Sequence, residues 1–361
     1  MVQYGDCPIH IGKGAFKKLK DHLKNRQNKK YGIFILVDEN TGKYCLPVLL
    51  NQVSLLKNAE IIEIESGEEH KNINTCIALW NILSGKNVNR DAVLINLGGG
   101  LISDLGGFVA TTFKRGIEFI NIPTTVLAQA DAATGGKTGV DLNLHKNEIG
   151  VFKLPSMVII YPDFLKTLSR RDFFSGFAEI IKHALIADAN YWKKIRQAQR
   201  TDEKGMLNVI RQSIVIKSTI VEKDPLEKGL RKILNFGHTI GHALESHFLG
   251  KPGVRLLHGE AVAAGIICES YISYQAKKIS QVELNQITSF ICSLYKHIPF
   301  KRKEEKKLIQ FMQHDKKNRG ADINFTLLAA IGKAEINKTC SVDVIKASFG
   351  FYHKLYQMSY V

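Results

Sequence analysis

Two histidines one helical turn apart, His238 and His242, and a third, His258, which opens the next apolar segment, are the residues of this sequence best suited to chemistry. At i,i+4 spacing the first two project from one face of a helix, where a metal ion or an anion could meet both. Upstream, Glu179 and Lys182 set a carboxylate and an amine on one face of another predicted helix. One glutamate with two histidines makes a three-ligand metal site that keeps a position open for substrate, as catalytic metals require. The constellation is that of an enzyme.

A second group of residues points to a phosphate-bearing ligand. An apolar run at 92–97 enters Gly98-Gly99-Gly100, and a helical pattern containing Asp104 follows. Glycines let a backbone approach phosphate closely, and the helix start offers free N–H donors. The dinucleotide fingerprint is incomplete, because its third glycine would fall at Ser103. Asp38 ends another apolar run and is suited either to a ribose hydroxyl or to capping a helix. Pro123-Thr124-Thr125 supplies two hydroxyls after a further run. Residues 129–141 have the composition of a functional loop, but Ala130 or Asp131 stands where a Walker loop needs glycine before Gly136-Lys137-Thr138. Lys146-Asn147 is an amine–amide pair in a predicted loop, suited to an anion.

The elements that must position these groups fall into two kinds. Short β-branched runs at 31–37, 60–65, 92–97, 118–122 and 157–161 alternate with helical patterns, which predicts a parallel-sheet α/β domain. After Arg171, segments 174–189, 206–221, 238–248 and 258–276 carry apolar residues at helical spacing, with a strand expected only at 323–328. The expected architecture is an α/β domain over 1–168 and a mainly helical domain over 169–361. The chain of 361 residues is long enough for both cores.

Six dispersed cysteines without a C-x-x-C pair read as buried, reduced thiols. No apolar stretch is long enough to span a bilayer, and no signal-peptide core opens the chain, so a cytoplasmic protein is expected. The net charge of +16 comes without aromatic-interleaved basic motifs or zinc-finger spacing. It reads as solvated surface charge that steers small anions, with neither nucleic acid nor membrane as partner.

In their joint order and spacing, these motifs resemble the 3-dehydroquinate synthases of the sugar phosphate cyclase superfamily. The likeness is carried by Gly98-Gly99-Gly100 with Asp104, Pro123-Thr124-Thr125, Gly135-Gly136-Lys137-Thr138 and Lys146-Asn147 in the first half. Ala178 to Lys182, Asn235 to Glu245, and His258-Gly259-Glu260-Ala261-Val262 carry it in the second, and it runs on to Asp315-Lys316-Lys317. The resemblance implies a Rossmann-like NAD-binding domain followed by a helical domain. It also implies a phosphate-eliminating lyase of the shikimate pathway to chorismate and the aromatic amino acids. That lyase converts 3-deoxy-arabino-heptulosonate 7-phosphate to 3-dehydroquinate by transient oxidation, phosphate elimination, re-reduction and aldol closure.

The same resemblance assigns residues. Glu179, His238 and His258 would hold one divalent metal, zinc or cobalt. NAD would contact Asp38, Asn40, Glu68, Lys71, Gly99, Gly100, Asp104, Thr124, Thr125, Lys137, Lys146, Phe164 and Thr167. Asp131, Lys137, Lys182, Asn235 and His242 would be the catalytic side chains. Asn147, Lys217 and Arg231 would join them on the substrate, with one further phosphate contact from Lys316 or Lys317, Lys316 being favoured. A homodimer is implied, in which Arg115 serves the neighbouring subunit's phosphate site. Arg231 suits a planar carboxylate and Lys217 adds a point charge. His145 and the run Ala132-Ala133-Thr134 depart from the usual pattern beside, not on, these positions. A metal-dependent polyol or alcohol dehydrogenase is the rival enzyme, but it has no use for a carboxylate clamp. Other sugar phosphate cyclases typically alter Lys217, Arg231, Asn235 or His242, all of which stand here. A basic scaffold or nucleic-acid-binding protein on a degenerate enzyme fold is the third reading, and it would have lost some of these groups.

Overall fold

The computed structural model describes residues 2–26, 32–142, 145–197, 203–249, 251, 256–313 and 323–358. The chain forms two compact units, Met1–Phe173 with Met206–Glu222, and Phe174–Gly205 with Lys223–Val361. A single cut at 168 therefore misses the segment 206–222, which groups with the first unit. Helical periodicity shows that a helix buries one face but not against what. Here Leu207 of the helix Glu203–Lys223 lies against Gly12 of the first unit.

Among the described residues, nine strands build the first unit: β1 (Val2–Tyr4), β2 (Cys7–Ile11), β3 (Ile33–Asp38), β4 (Glu60–Ile64), β5 (Val93–Gly98), β6 (Glu118–Pro123), β7 (Lys137–Leu142), β8 (His145–Phe152) and β9 (Met157–Ile160). Seven of them form one sheet in the order β1-β2-β9-β6-β5-β3-β4, parallel throughout except for β1 at its edge. Strands covered on both faces read as continuous apolar runs, as β3 and β5 do. Alternate side chains then feed two cores, Ile35, Val37, Ile95 and Leu97 on one face and Phe34, Leu36 and Leu94 on the other. From β3 the chain goes outward to β4, then crosses back to β5 and on to β6 and β9. That reversal makes the carboxyl ends of β3 and β5 a topological switch point, where open α/β sheets bind ligands.

Residues 137–141 of the predicted loop at 129–141 form β7, which pairs antiparallel with β8, and Lys146 and Asn147, expected in a loop, lie in that second strand. Glycine is the reason the sequence misleads. A Cβ on Gly139 would sit 2.5 Å from Ile149 O and one on Gly150 2.4 Å from Thr138 O, so the two backbones meet closely through residues that normally mark turns.

Among the described residues, the strands of the second unit are one antiparallel hairpin, β10 (Asn324–Ala330) with β11 (Lys333–Thr339), and its other regular elements are helices. β10 was predicted; β11, a largely polar Lys333 to Thr339, gives no apolar signal. All six cysteines are free, and burial pushes the thiols of Cys7, Cys45, Cys76 and Cys340 up to about 12. Among the described residues, no helix is long and apolar enough to cross a membrane.

Candidate active site

In the second unit three helices bring together the residues expected to hold a metal, Glu179, His238 and His258. Glu179 lies within the helix Arg170–Ala187, while His238 and His258 are the first residues of the helices His238–Leu249 and His258–Gln275. Glu179 Oε1 stands 3.4 Å from His238 Nε2 and 3.3 Å from His258 Nε2. One donor atom from each residue falls within 4.8 Å of the others. Neither contact has hydrogen-bond geometry, which leaves Glu179 Oε1 buried and orphaned. A buried carboxylate oxygen facing two imidazole nitrogens is satisfied by a cation, and one oxygen with two nitrogens is an ordinary donor set for zinc or cobalt.

Each histidine is steered by its other ring nitrogen. His238 Nδ1 lies 3.1 Å from Phe236 O, and His258 Nδ1 lies 3.0 Å from Glu245 Oε2. Such outer contacts set the tautomer and leave each Nε2 turned toward Glu179 Oε1. Burial lowers His238 below the usual imidazole range, helped by the Lys182 ammonium, which favours the neutral ring. Burial works against charge at His258 too, but Glu245 and Glu179 overcome it and push it up to about 10. Burial would raise the Glu179 carboxyl, yet Lys182, its buried ion-pair partner one turn away, holds it well below the usual carboxylate range.

Glycines make this convergence sterically possible. A Cβ on Gly259 would lie 1.8 Å from Ser175 O, so the residue after His258 must be glycine for its helix to meet the helix of Glu179. The contact is sealed by Gly259 N–H donating to Ser175 Oγ at 3.0 Å. A Cβ on Gly265 would lie 2.0 Å from Gly237 O, and Gly237 itself has φ +79°. The two histidine-bearing helices therefore touch backbone to backbone.

His242 is half-buried, its ring centroid 5.1 Å from that of His238 and 6.1 Å from that of His258. Arg231 is buried and donates through Nη1 to Pro225 O at 2.7 Å. Asn235 donates to Glu227 Oε1 at 2.9 Å. Glu227, Glu245 and Ser175 were not singled out from sequence. For Glu245 a signal existed: it lies three residues after His242 and seven after His238, on their helical face. For Glu227, at φ +57°, none did.

In the first unit the glycine turn has the expected form. β5 ends at Gly98, Gly99 precedes the helix Gly100–Thr112, and no side chain caps that helix. Its first N–H groups thus remain for an anion. A Cβ on Gly106 would lie 2.1 Å from Asn96 Oδ1, so the glycine leaves room for the Asn96 side chain of β5 against the helix. The cradle suits a pyrophosphate. Asp38 does cap a helix, its Oδ1 accepting from Thr41 N at 2.8 Å, with Asn40 exposed beside it. Thr124 is buried and its N–H donates to Gly98 O at 3.0 Å, while Thr125 Oγ1 accepts from Ala128 N.

Lys71 is a buried ammonium that donates to Asp104 Oδ2 at 2.6 Å and to Asn147 Oδ1 at 2.7 Å. Burial opposes its charge, but Asp104, Glu68 and Asp141 outweigh that and raise it above the usual lysine range. Lys146 joins the same network through Glu68 at 3.3 Å. Lys217 pairs with Asp131, 2.8 Å from its Oδ1 and 2.7 Å from its backbone O. Asp131 sits in a π-helical turn, Ala128–Ala132, a distortion that often marks functional sites. Lys137 begins β7 exposed. Phe164 is a core side chain, stacked edge-on against Phe16 and Tyr161, and Thr167 is exposed and donates to Phe164 O. Arg115 is exposed, and with Lys114 it gives two successive non-glycine residues at positive φ, 66° and 48°. Lys316 and Lys317 lie outside the described residues.

Comparison with known proteins adds the following. The N-terminal domain profile of 3-dehydroquinate synthase matches residues 61–175 and its C-terminal profile residues 176–318. The 3-dehydroquinate synthase of Parabacteroides distasonis is 43% identical over 96% of this chain and 98% of its own. The fold matches that of 2-epi-5-epi-valiolone synthase from Streptomyces hygroscopicus, solved with NAD+ and Zn2+ bound, with a TM-score of 0.82 at 23% identity over 98% of each chain. It also matches 2-deoxy-scyllo-inosose synthase, solved with carbaglucose-6-phosphate, NAD+ and Co2+, with a TM-score of 0.82 at 23% identity over 97% of this chain and 96% of the other.

Proposed function

This chain belongs to the 3-dehydroquinate synthase family, and from that premise we propose that it converts 3-deoxy-arabino-heptulosonate 7-phosphate to 3-dehydroquinate and inorganic phosphate. The observation that carries the reading is the orphaned Glu179 Oε1 facing His238 Nε2 and His258 Nε2. These three residues would hold the divalent metal. Gly99, Gly100 and the uncapped helix start would hold the NAD pyrophosphate, with Asp38, Asn40, Glu68, Lys71, Asp104, Thr124, Thr125, Lys137, Lys146, Phe164 and Thr167 lining that ligand. When bound, the two supply Lewis acidity at the reacting oxygen and a reversible hydride acceptor.

The chain's own residues bind and orient the substrate. Arg231, its Nη1 held by Pro225 O, would present its guanidinium to the substrate carboxylate. Lys182, His242 and Asn147 would take the phosphate and steady its charge as the C–O bond breaks. Lys217 and Asp131, fixed on each other, along with Lys137, would meet the remaining polar groups. Asn235, its amide anchored by Glu227, would hold a substrate hydroxyl in position. Once the alcohol is a ketone, the neighbouring C–H is acidic, and loss of its proton expels phosphate. Return of the hydride from bound NAD would restore the alcohol, and an intramolecular aldol addition would then form the C–C bond that closes the ring. The protein contributes positioning and electrostatics rather than a covalent intermediate. We take the working form to be a cytoplasmic homodimer in which Arg115 completes the partner's phosphate site.

The test is phosphate release from the heptulosonate phosphate in the presence of NAD, with and without chelator. Turnover that needs NAD catalytically, stops with chelator and returns with Zn2+ or Co2+ supports the reading. Release that ignores the chelator would refute it, and NADH accumulating mole for mole would identify a dehydrogenase instead.

A further inference from the structure

We propose that Glu269 is a positioning residue for the metal site, holding the helix that carries His238 in register with the helix that carries His258. The inference rests on the metal reading of Glu179, His238 and His258.

The helix His238–Leu249 starts after Gly237, which has no side chain to cap the free N–H groups of the first turn. The cap comes from a different helix. Glu269 Oε2 accepts from Gly237 N at 2.6 Å and Oε1 from Ile240 N at 3.1 Å, so one fully buried carboxylate brackets His238 in the chain. Both oxygens meet backbone donors at the positive end of the helix, where a carboxylate is best stabilised.

Glu269 belongs to the helix His258–Gln275, eleven residues beyond His258 and about 16 Å along the axis at about 1.5 Å per residue. The contacts between the two helices descend in step: Glu269 with Gly237 and Ile240, Gly265 with Gly237, Gly241 with Val262, Glu245 with His258. The helices therefore run antiparallel, and each lends a carboxylate to the other's start. Glu245 holds His258; Glu269 holds the turn of His238. The glycine contacts set how close the helices come but leave sliding along the axis to be stopped by directional bonds. The two carboxylates supply those bonds, one at each end, and the His238–His258 separation depends on both.

The experiment compares wild type with Glu269→Gln, which preserves volume and leaves a single acceptor for two donors. Zn2+ and Co2+ affinities are measured by competition with a chromophoric chelator, alongside the visible spectrum of the Co2+ form and circular dichroism of the metal-free protein. The expected result is about 10- to 100-fold weaker metal binding with an altered Co2+ spectrum, as for other residues that orient metal ligands. Secondary structure and NAD affinity should stay as in wild type. Unchanged metal affinity and spectrum would overturn the inference alone, whereas a wild type that binds neither ion would remove the metal site itself and the inference with it. If Glu269→Gln does not fold, Glu269→Asp decides: weakened metal binding in a folded protein supports the role, and wild-type affinity overturns it. Failure of both variants to fold would make Glu269 a general folding residue and overturn it too.

Discussion

At the scale of single residues, the decisive feature is that Glu179 answers to two demands at once. One oxygen serves the buried ammonium of Lys182 and the other faces two imidazoles. Glu179→Gln keeps the volume and removes the charge, so it should abolish metal binding and phosphate release while the protein stays folded; metal content after dialysis and a phosphate assay check this. Both variants leave Lys182 buried without its counterion, and removing one partner of a buried pair costs about 3–5 kcal/mol, so both should unfold at lower denaturant than wild type. Glu179→Ala goes further, because it also removes the oxygen that accepts from Lys182 and opens a cavity, so it should be the less stable of the two. Wild-type stability of both variants would mean that Lys182 finds another partner.

At the scale of elements, glycine placement determines whether Glu179, His238 and His258 can meet at all. Gly259→Ala would drive a Cβ into Ser175 O, a backbone atom that cannot turn aside. It is expected at or beyond the top of the about 1–3 kcal/mol range for overpacking, with loss of metal binding. Gly350, exposed within the helix Val342–Met358, has nothing within 4 Å of its Cβ position. Gly350→Ala should stabilise by about 0.5–1 kcal/mol through helix propensity alone. Urea unfolding of the pair separates the two cases, since opposite signs are required. The element scale is also where sequence reading was most and least informative. Continuous apolar runs revealed β3, β5, β6 and β9, because strands covered on both faces need them. The hairpin of β7 and β8 passed as a loop, because Gly139 and Gly150 serve a close backbone approach and look like turn residues.

At the scale of the whole molecule, a net charge of +16 should act on an anionic substrate before any contact forms. Raising salt from about 50 to about 500 mM should lower kcat/KM several-fold while leaving kcat unchanged, because screening weakens steering and not the enclosed chemistry. Stopped-flow or initial-rate measurements across that range check it, and an unchanged kcat/KM would mean the surface charge has no part in capture. By itself the sequence determined the two kinds of element, the glycine turn after β5, and the candidate ligands, since local periodicity and residue chemistry are written position by position. Only the tertiary structure decided that the segment 206–222 packs with the first unit and that Glu269 caps a helix belonging to another stretch of chain. It alone decided, too, that Asn235 is held by Glu227. Those are contacts between residues whose spacing in the chain carries no period, and the close packing of backbones, not any local pattern, selects them.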